Sequence, residues 1–160
     1  QELKVQELWQ ATRASGHELL LEIICPGTPQ PIGGNDDAIV RAIKRFYNLG
    51  IKPDWWKLAP MAASGWDALA LLIAERDPLC RGAVILGLNQ PLQVLADSFT
   101  HADNPVVKGF MVGRSLWAEP SLRWLRRQCT DQELMDAVAA NFLLLSHAWS
   151  TRHRHATIRA

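Results

Sequence analysis

Hydrophobic and polar positions along the chain switch between a helical period and short, nearly unbroken apolar runs, and that alternation predicts the order of elements. A helical pattern runs from about Leu3 to Ala14, with Gly16 as its stop. The stretch from Glu18 to Ile24 then reads as a strand covered on both faces, ended by Cys25-Pro26-Gly27, and the Pro- and Gly-rich residues to Gly34 read as a loop. Asn35, Asp36 and Asp37 supply N-cap candidates for a helix to about Leu49, with Ile39, Val40, Ile43 and Phe46 on one face and Gly50 after it. The segment from Ile51 to Leu58 is a short extended piece that carries charges and two indoles. Ser64-Gly65-Trp66-Asp67 resembles a capping box opening a helix to about Arg76, stopped by Asp77-Pro78.

The second half repeats the plan. Gly82 to Leu88 reads as a buried strand, and Pro91 takes a first helical position for a helix to about His101. Val106 to Gly113 reads as the fourth strand, ending at Arg114-Ser115. Two helices follow, one near Pro120 to Arg127 and a long one from the capping box Thr130-Asp131-Gln132-Glu133 to about Arg152. Residues 153–160 read as a frayed tail. Four buried strands, each followed by a helix at intervals of roughly 25 to 35 residues, predict parallel βαβ units with right-handed crossovers. The class is α/β, either an open doubly wound sheet or a (β/α) barrel. A complete barrel takes about 250 residues, so a barrel reading gives only half of one.

Composition narrows the function classes. Seventeen Lys and Arg against sixteen Asp and Glu leave a formal charge of +1, which gives no global field for nucleic acid or an anionic membrane surface. No apolar run approaches the ~20 residues of a membrane span. The three cysteines, Cys25, Cys80 and Cys129, are widely spaced and lack a CxxC pattern, so a reduced, cytoplasmic protein is the expectation. The first residue is Gln1, no charged-then-apolar leader is present, and a start trimmed from a longer chain is expected. No GxGxxG or GxxxxGK[ST] loop follows any strand, so a glycine-rich nucleotide site has no support.

Among the residues that could carry chemistry, Lys57 lies near the C-terminal end of its strand, where barrel enzymes place catalytic groups. To attack a carbonyl it must lose its proton, which calls for desolvation or a nearby cation, and Trp55 and Trp56 offer apolar walls. A period of two sends Trp55 the same way as Lys57 and sets Asp54, Trp56 and Leu58 against the helices. The plain alternative is a strand-end lysine whose stem reaches water. Glu22 is ionisable inside an otherwise apolar strand and is a candidate partner for Lys57, as proton shuttle or as ion-pair anchor. Gly113-Arg114-Ser115 offers backbone N–H groups, a guanidinium and a hydroxyl, the set a phosphate needs, or else a turn with a surface arginine. Gly87 and Asn89 let a ligand approach the backbone or form the turn before Pro91. Trp9, Trp66, Trp117, Trp124 and Trp149 read as core, His147, His153 and His155 as helix and tail rather than metal ligands, and Arg81 as belonging to the non-catalytic end.

The stretches LWQATRASGHELLLEII, RFYNLGIKPDWWKL, ERDPLCRGAVILGL and VKGFMVGRSLW together resemble the domain of unknown function found C-terminal to the kinase in fused 5-dehydro-2-deoxygluconokinase proteins and as stand-alone bacterial proteins. That domain is similar to class I aldolases of the tagatose- and fructose-bisphosphate type, which are (β/α)8 barrels. The resemblance implies that residues 1–152 supply βα units five to eight, that Lys57 takes the Schiff-base lysine position, and that Gly113 and Arg114 take the phosphate position. The implied reaction is carbon–carbon cleavage of a phosphorylated keto sugar acid, plausibly 2-deoxy-5-keto-gluconate 6-phosphate in myo-inositol catabolism, with no metal and no cofactor. Relatives begin with a strand carrying an aspartate near an Asp-His-Arg string, which has no counterpart here. The implied partners are therefore an N-terminal barrel half or kinase domain in a longer chain, or a second copy in a homodimer. Two alternatives stay open: a non-catalytic sugar-phosphate-binding or regulatory module associated with a carbohydrate kinase, and a half-barrel that only dimerises.

Overall fold

The computed structural model describes residues 1–27 and 30–152; the tail expected at 153–160, with His153 and His155, lies outside the described residues. Helix α1 (Glu2–Ser15) ends on Gly16 at φ 72°, a left-handed conformation that costs glycine little. It leads to β1 (Leu20–Ile23), α2 (Asp36–Asn48), β2 (Trp55–Leu58), α3 (Ala63–Arg76) and β3 (Gly82–Leu86). Then come α4 (Leu92–Ser98) with a 3-10 turn over Phe99–His101, β4 (Val107–Met111), α5 (Arg114–Leu125) and α6 (Asp131–Thr151). All neighbouring strands are parallel and the sheet order is β1-β2-β3-β4. No described helix is long and apolar enough to cross a membrane.

A sequential parallel order with right-handed crossovers carries every connecting helix to the same face of the sheet. The burial alternation follows that geometry. Trp56, Leu58, Ala83, Ile85 and Val107 are buried, whereas their neighbours Lys57, Val84 and Lys108 are half-buried or exposed. Between sheet and helices lies a core of Trp56, Trp66, Phe99, Ile39, Ile43 and Leu69, all but removed from water. Burying each such side chain is worth about 1.5–3 kcal/mol, which is what holds the helices on this face. The Trp56 indole donates from Nε1 to Tyr47 Oη at 2.9 Å, with the rings edge to face at 5.7 Å, so the one polar atom of that indole is satisfied inside the core.

Several local expectations are corrected. The second strand begins at Trp55 rather than Ile51, because Pro53 has no N–H for a ladder and Asp54 turns aside. The Asp54 carboxylate accepts the Leu19 N–H at 2.8 Å and pairs with Arg13 at 2.6 Å, tying α1 to the entry of β1. The box expected at Ser64 does not form: α3 starts at Ala63, its N-cap is Ala62, and the carboxylate that serves it comes from α2, with Asp36 Oδ2 accepting the Ala62 N–H at 3.0 Å. Gly65 is glycine because a Cβ there would collide with that carboxylate.

Pro91 is the N-cap of α4 and not its first helical residue. Helix α5 begins directly after Gly113 and carries Pro120 in its interior rather than at its start. Proline cannot donate to the carbonyl four residues back. Asn141 of α6 fills the gap, its Nδ2 donating to Leu116 O at 2.6 Å. The capping box of α6 forms as expected: Thr130 Oγ1 accepts the Glu133 N–H and Glu133 Oε2 accepts the Thr130 N–H at 2.7 Å.

Candidate functional site

Strand register brings the first pair together. Glu22 of β1 lies opposite Lys57 of β2, both on the face of the sheet away from the crossover helices, and Lys57 Nζ stands 3.4 Å from Glu22 Oε2. The lysine side chain is 20% exposed and the glutamate 39%, so the lysine is half-buried while the carboxylate keeps contact with water. Neither indole walls the amine, and for Trp56 the period of two requires it. Trp56 points into the helix layer, and Trp55 leans toward the strand entry, where its Nε1 donates to Glu18 Oε2 at 2.9 Å. Arg81 lies at that same entry end, paired with Glu18 at 2.6 Å and remote from Lys57.

The C-terminal ends of the strands complete the site. A cleft of about 260 Å³ is lined by Glu22, Lys57, Gly87, Asn89, Gly113, Arg114 and Ser115, together with Ile24, Leu86, Leu88, Met111 and Trp117. That volume lies just under the range of about 300 to 1,000 Å³ typical of small-molecule pockets. Two cations against one carboxylate, at the N-terminal end of α5, make the cleft a place for an anion. After β3 the chain turns sharply: Gln90 N–H returns to Gly87 O at 2.9 Å, and Leu88 and Asn89 take φ of 50° and 59°. Non-glycine residues at positive φ are uncommon and concentrate where a site constrains the backbone.

Of the two expectations for Gly87, an approach for a ligand or the turn before Pro91, the turn is present, and the space of the missing side chain is filled by the chain itself. A Cβ there would fall 2.7 Å from Val112 Cγ1 and 2.9 Å from Ser115 Oγ. Ser115 Oγ in turn donates to Gly87 O at 3.4 Å, so the missing side chain lets the end of β3 and the start of α5 close on each other.

Trp117, expected in the core, is 46% exposed and lines the cleft. Its position became visible only once α5 was seen to start at Arg114, which puts Trp117 three residues on and on the same helix face. Trp124 is also exposed rather than core and donates to Asp131 at 2.6 Å. Trp66 alone of the helix indoles is fully buried. Among the described residues no group of three or more His, Cys, Asp or Glu side chains is placed to hold a metal ion.

At the opposite end of the sheet, Asp77 is buried at the C-terminus of α3, and one of its carboxylate oxygens has no partner. Burial pushes its carboxyl above the ordinary carboxylate range, against the pull of Lys52. Cys80 beside it is pushed up to about 11, first by burial.

Fold and cleft together define a parallel α/β protein whose charged residues converge at the carboxyl ends of its strands. The chain belongs to the bacterial family described as "Uncharacterized protein conserved in bacteria (DUF2090)", whose model matches residues 1–153. No curated protein matches it.

Proposed function

We propose that this chain is the C-terminal half of a (β/α)8 barrel, units five to eight, of a Schiff-base aldolase acting on a phosphorylated keto sugar acid. The observation that carries the reading is the meeting, in one cleft at the carboxyl ends of parallel strands, of a half-buried lysine paired with a carboxylate and a Gly-Arg-Ser helix start suited to a phosphate. The sequential strand order supports a barrel over a doubly wound sheet, which reverses its order at a switch point. The uncovered face and the open edges of β1 and β4 are where four further units would add.

In this reading Glu22 takes a proton from Lys57, whose amine adds to the substrate ketone and, with loss of water, forms an iminium. Glu22 returns its proton to the departing water and then accepts the proton of the hydroxyl beyond the scissile bond as the carbon–carbon bond breaks. The electron pair moves into the iminium, leaving an aldehyde and an enamine. Protonation and hydrolysis of the enamine return the ketone product and the free amine. Arg114, Ser115 and the N–H groups at Gly113 hold the phosphate, and Asn89 borders the carbon chain.

Borohydride reduction in the presence of 2-deoxy-5-keto-gluconate 6-phosphate tests this. The expected result is a reduced adduct on Lys57, found by peptide mass spectrometry and absent from Lys57→Met. No adduct at saturating ligand counts against the aldolase reading. The second reading, a sugar-phosphate-binding module, draws on the Lys57–Glu22 ion pair, which a purely structural strand end also makes. Unchanged phosphate-ester affinity in Lys57→Met, with no adduct in either protein, selects it.

A further inference from the structure

Seven tryptophans occur in the chain, and the fold uses six of them. Trp9 lies under the Arg13 guanidinium at 4.3 Å, and Trp149 under that of Arg152 at 3.6 Å. Trp55, Trp56 and Trp124 donate to Glu18, Tyr47 and Asp131. Trp66 is sealed in the core. Trp117 alone combines exposure with the lack of any hydrogen-bond, cation or ring partner among the described residues. It sits in the first turn of α5, and its Nε1 approaches the backbone of Gly113, where an added Cβ would lie 3.4 Å from it. An aromatic plane of this size left in water is costly unless something covers it, and the cleft is the space it faces.

We propose that Trp117 is the specificity-determining wall of this cleft: its indole packs on the C–H face of the ligand's carbon chain, and its unpaired N–H donates to a ligand hydroxyl or carboxylate, while the Gly113-Arg114-Ser115 start takes the phosphate. The assignment rests on the sugar-phosphate reading above and adds what that reading lacks, a contact that separates a phosphorylated polyol from phosphate itself. The electronegative face of an indole attracts polarised C–H groups, whereas a bare phosphate offers it nothing.

The test is isothermal titration of the chain, Trp117→Ala and Trp117→Phe with two probes, inorganic phosphate and 2-deoxy-5-keto-gluconate 6-phosphate. The expected outcome for Trp117→Ala is a loss of about tenfold in affinity for the sugar ester, with inorganic phosphate bound as before. Trp117→Phe, which keeps a ring and drops the N–H, recovers part of the loss. Circular dichroism of each variant verifies that the fold is retained. Equal affinity of wild type and Trp117→Ala for the sugar ester overturns the assignment. A wild-type chain that binds phosphate but gains nothing from the sugar also overturns it and leaves the phosphate cradle standing. A chain that takes up neither probe overturns both.

Discussion

Two positions test the physics residue by residue. Gly87 has Val112 and Ser115 where a side chain would go, at 2.7 and 2.9 Å from an added Cβ. Gly87→Ala is therefore expected to cost about 1–3 kcal/mol in urea denaturation, as overpacking does, and to weaken phosphate binding by pushing Ser115 away. Unchanged stability and binding would show that the β3 and α5 ends are not in contact. Asp77 concerns pH. Its folded carboxyl titrates above the unfolded value of about 3.9, so folding is unpenalised below that value and loses stability as pH rises through the folded one. Relative to Asp77→Asn, wild type is expected to gain in melting temperature as pH falls from neutrality toward the unfolded value of about 3.9. A difference between the two proteins that shrinks or stays constant over the same range contradicts the sign. The sequence showed Asp77 as a helix stop; that one of its oxygens is orphaned follows from elements far apart in the chain.

Among the elements, α5 was the least legible. Pro120 reads as a helix start, because proline is favoured there and excluded from interiors. The chain instead runs a helix through it and supplies the lost donor from Asn141, 25 residues from the Leu116 carbonyl it serves. A double-mutant cycle measures this. Asn141→Ala leaves Leu116 O unpaired and is expected to cost about 1–3 kcal/mol, whereas in a Pro120→Ala background the restored N–H takes that carbonyl and the cost shrinks. Equal costs in both backgrounds would deny the substitution of one donor for the other. Helix α6 shows the contrary case. Its Thr130–Glu133 box is local, was readable in four letters, and is present. Thr130→Ala is expected to lower stability by about 1 kcal/mol, read from the same denaturation curves. The capping of α3 was misread for the reason that α5 was: the carboxylate that serves it belongs to another helix.

For the whole molecule, sheet order decides which groups are shielded. Strands β2 and β3 have a neighbour on each side, while β1 and β4 each have one. Hydrogen exchange is expected to be slowest at Trp56, Leu58, Ala83 and Ile85 and faster along the outer strands. Uniform protection across all four would mean that another chain covers the edges. The same order leaves one sheet face open and places Lys57 and Glu22 on it.

The sequence by itself determined the strands, their alternation with helices, the two faces of β2, and the placing of Lys57, Gly87, Asn89 and Gly113-Arg114-Ser115 at strand ends; the cover expected on both faces of β1 is absent, since Glu22 is exposed. These follow from period, turn chemistry and capping within a few residues. Only the tertiary structure decided that Glu22 faces Lys57 across a register, that Trp117 borders the cleft, and that Asp36 and Asn141 serve helices other than their own. Those contacts join residues distant in the chain, and hydrogen bonds of that kind leave no periodic trace.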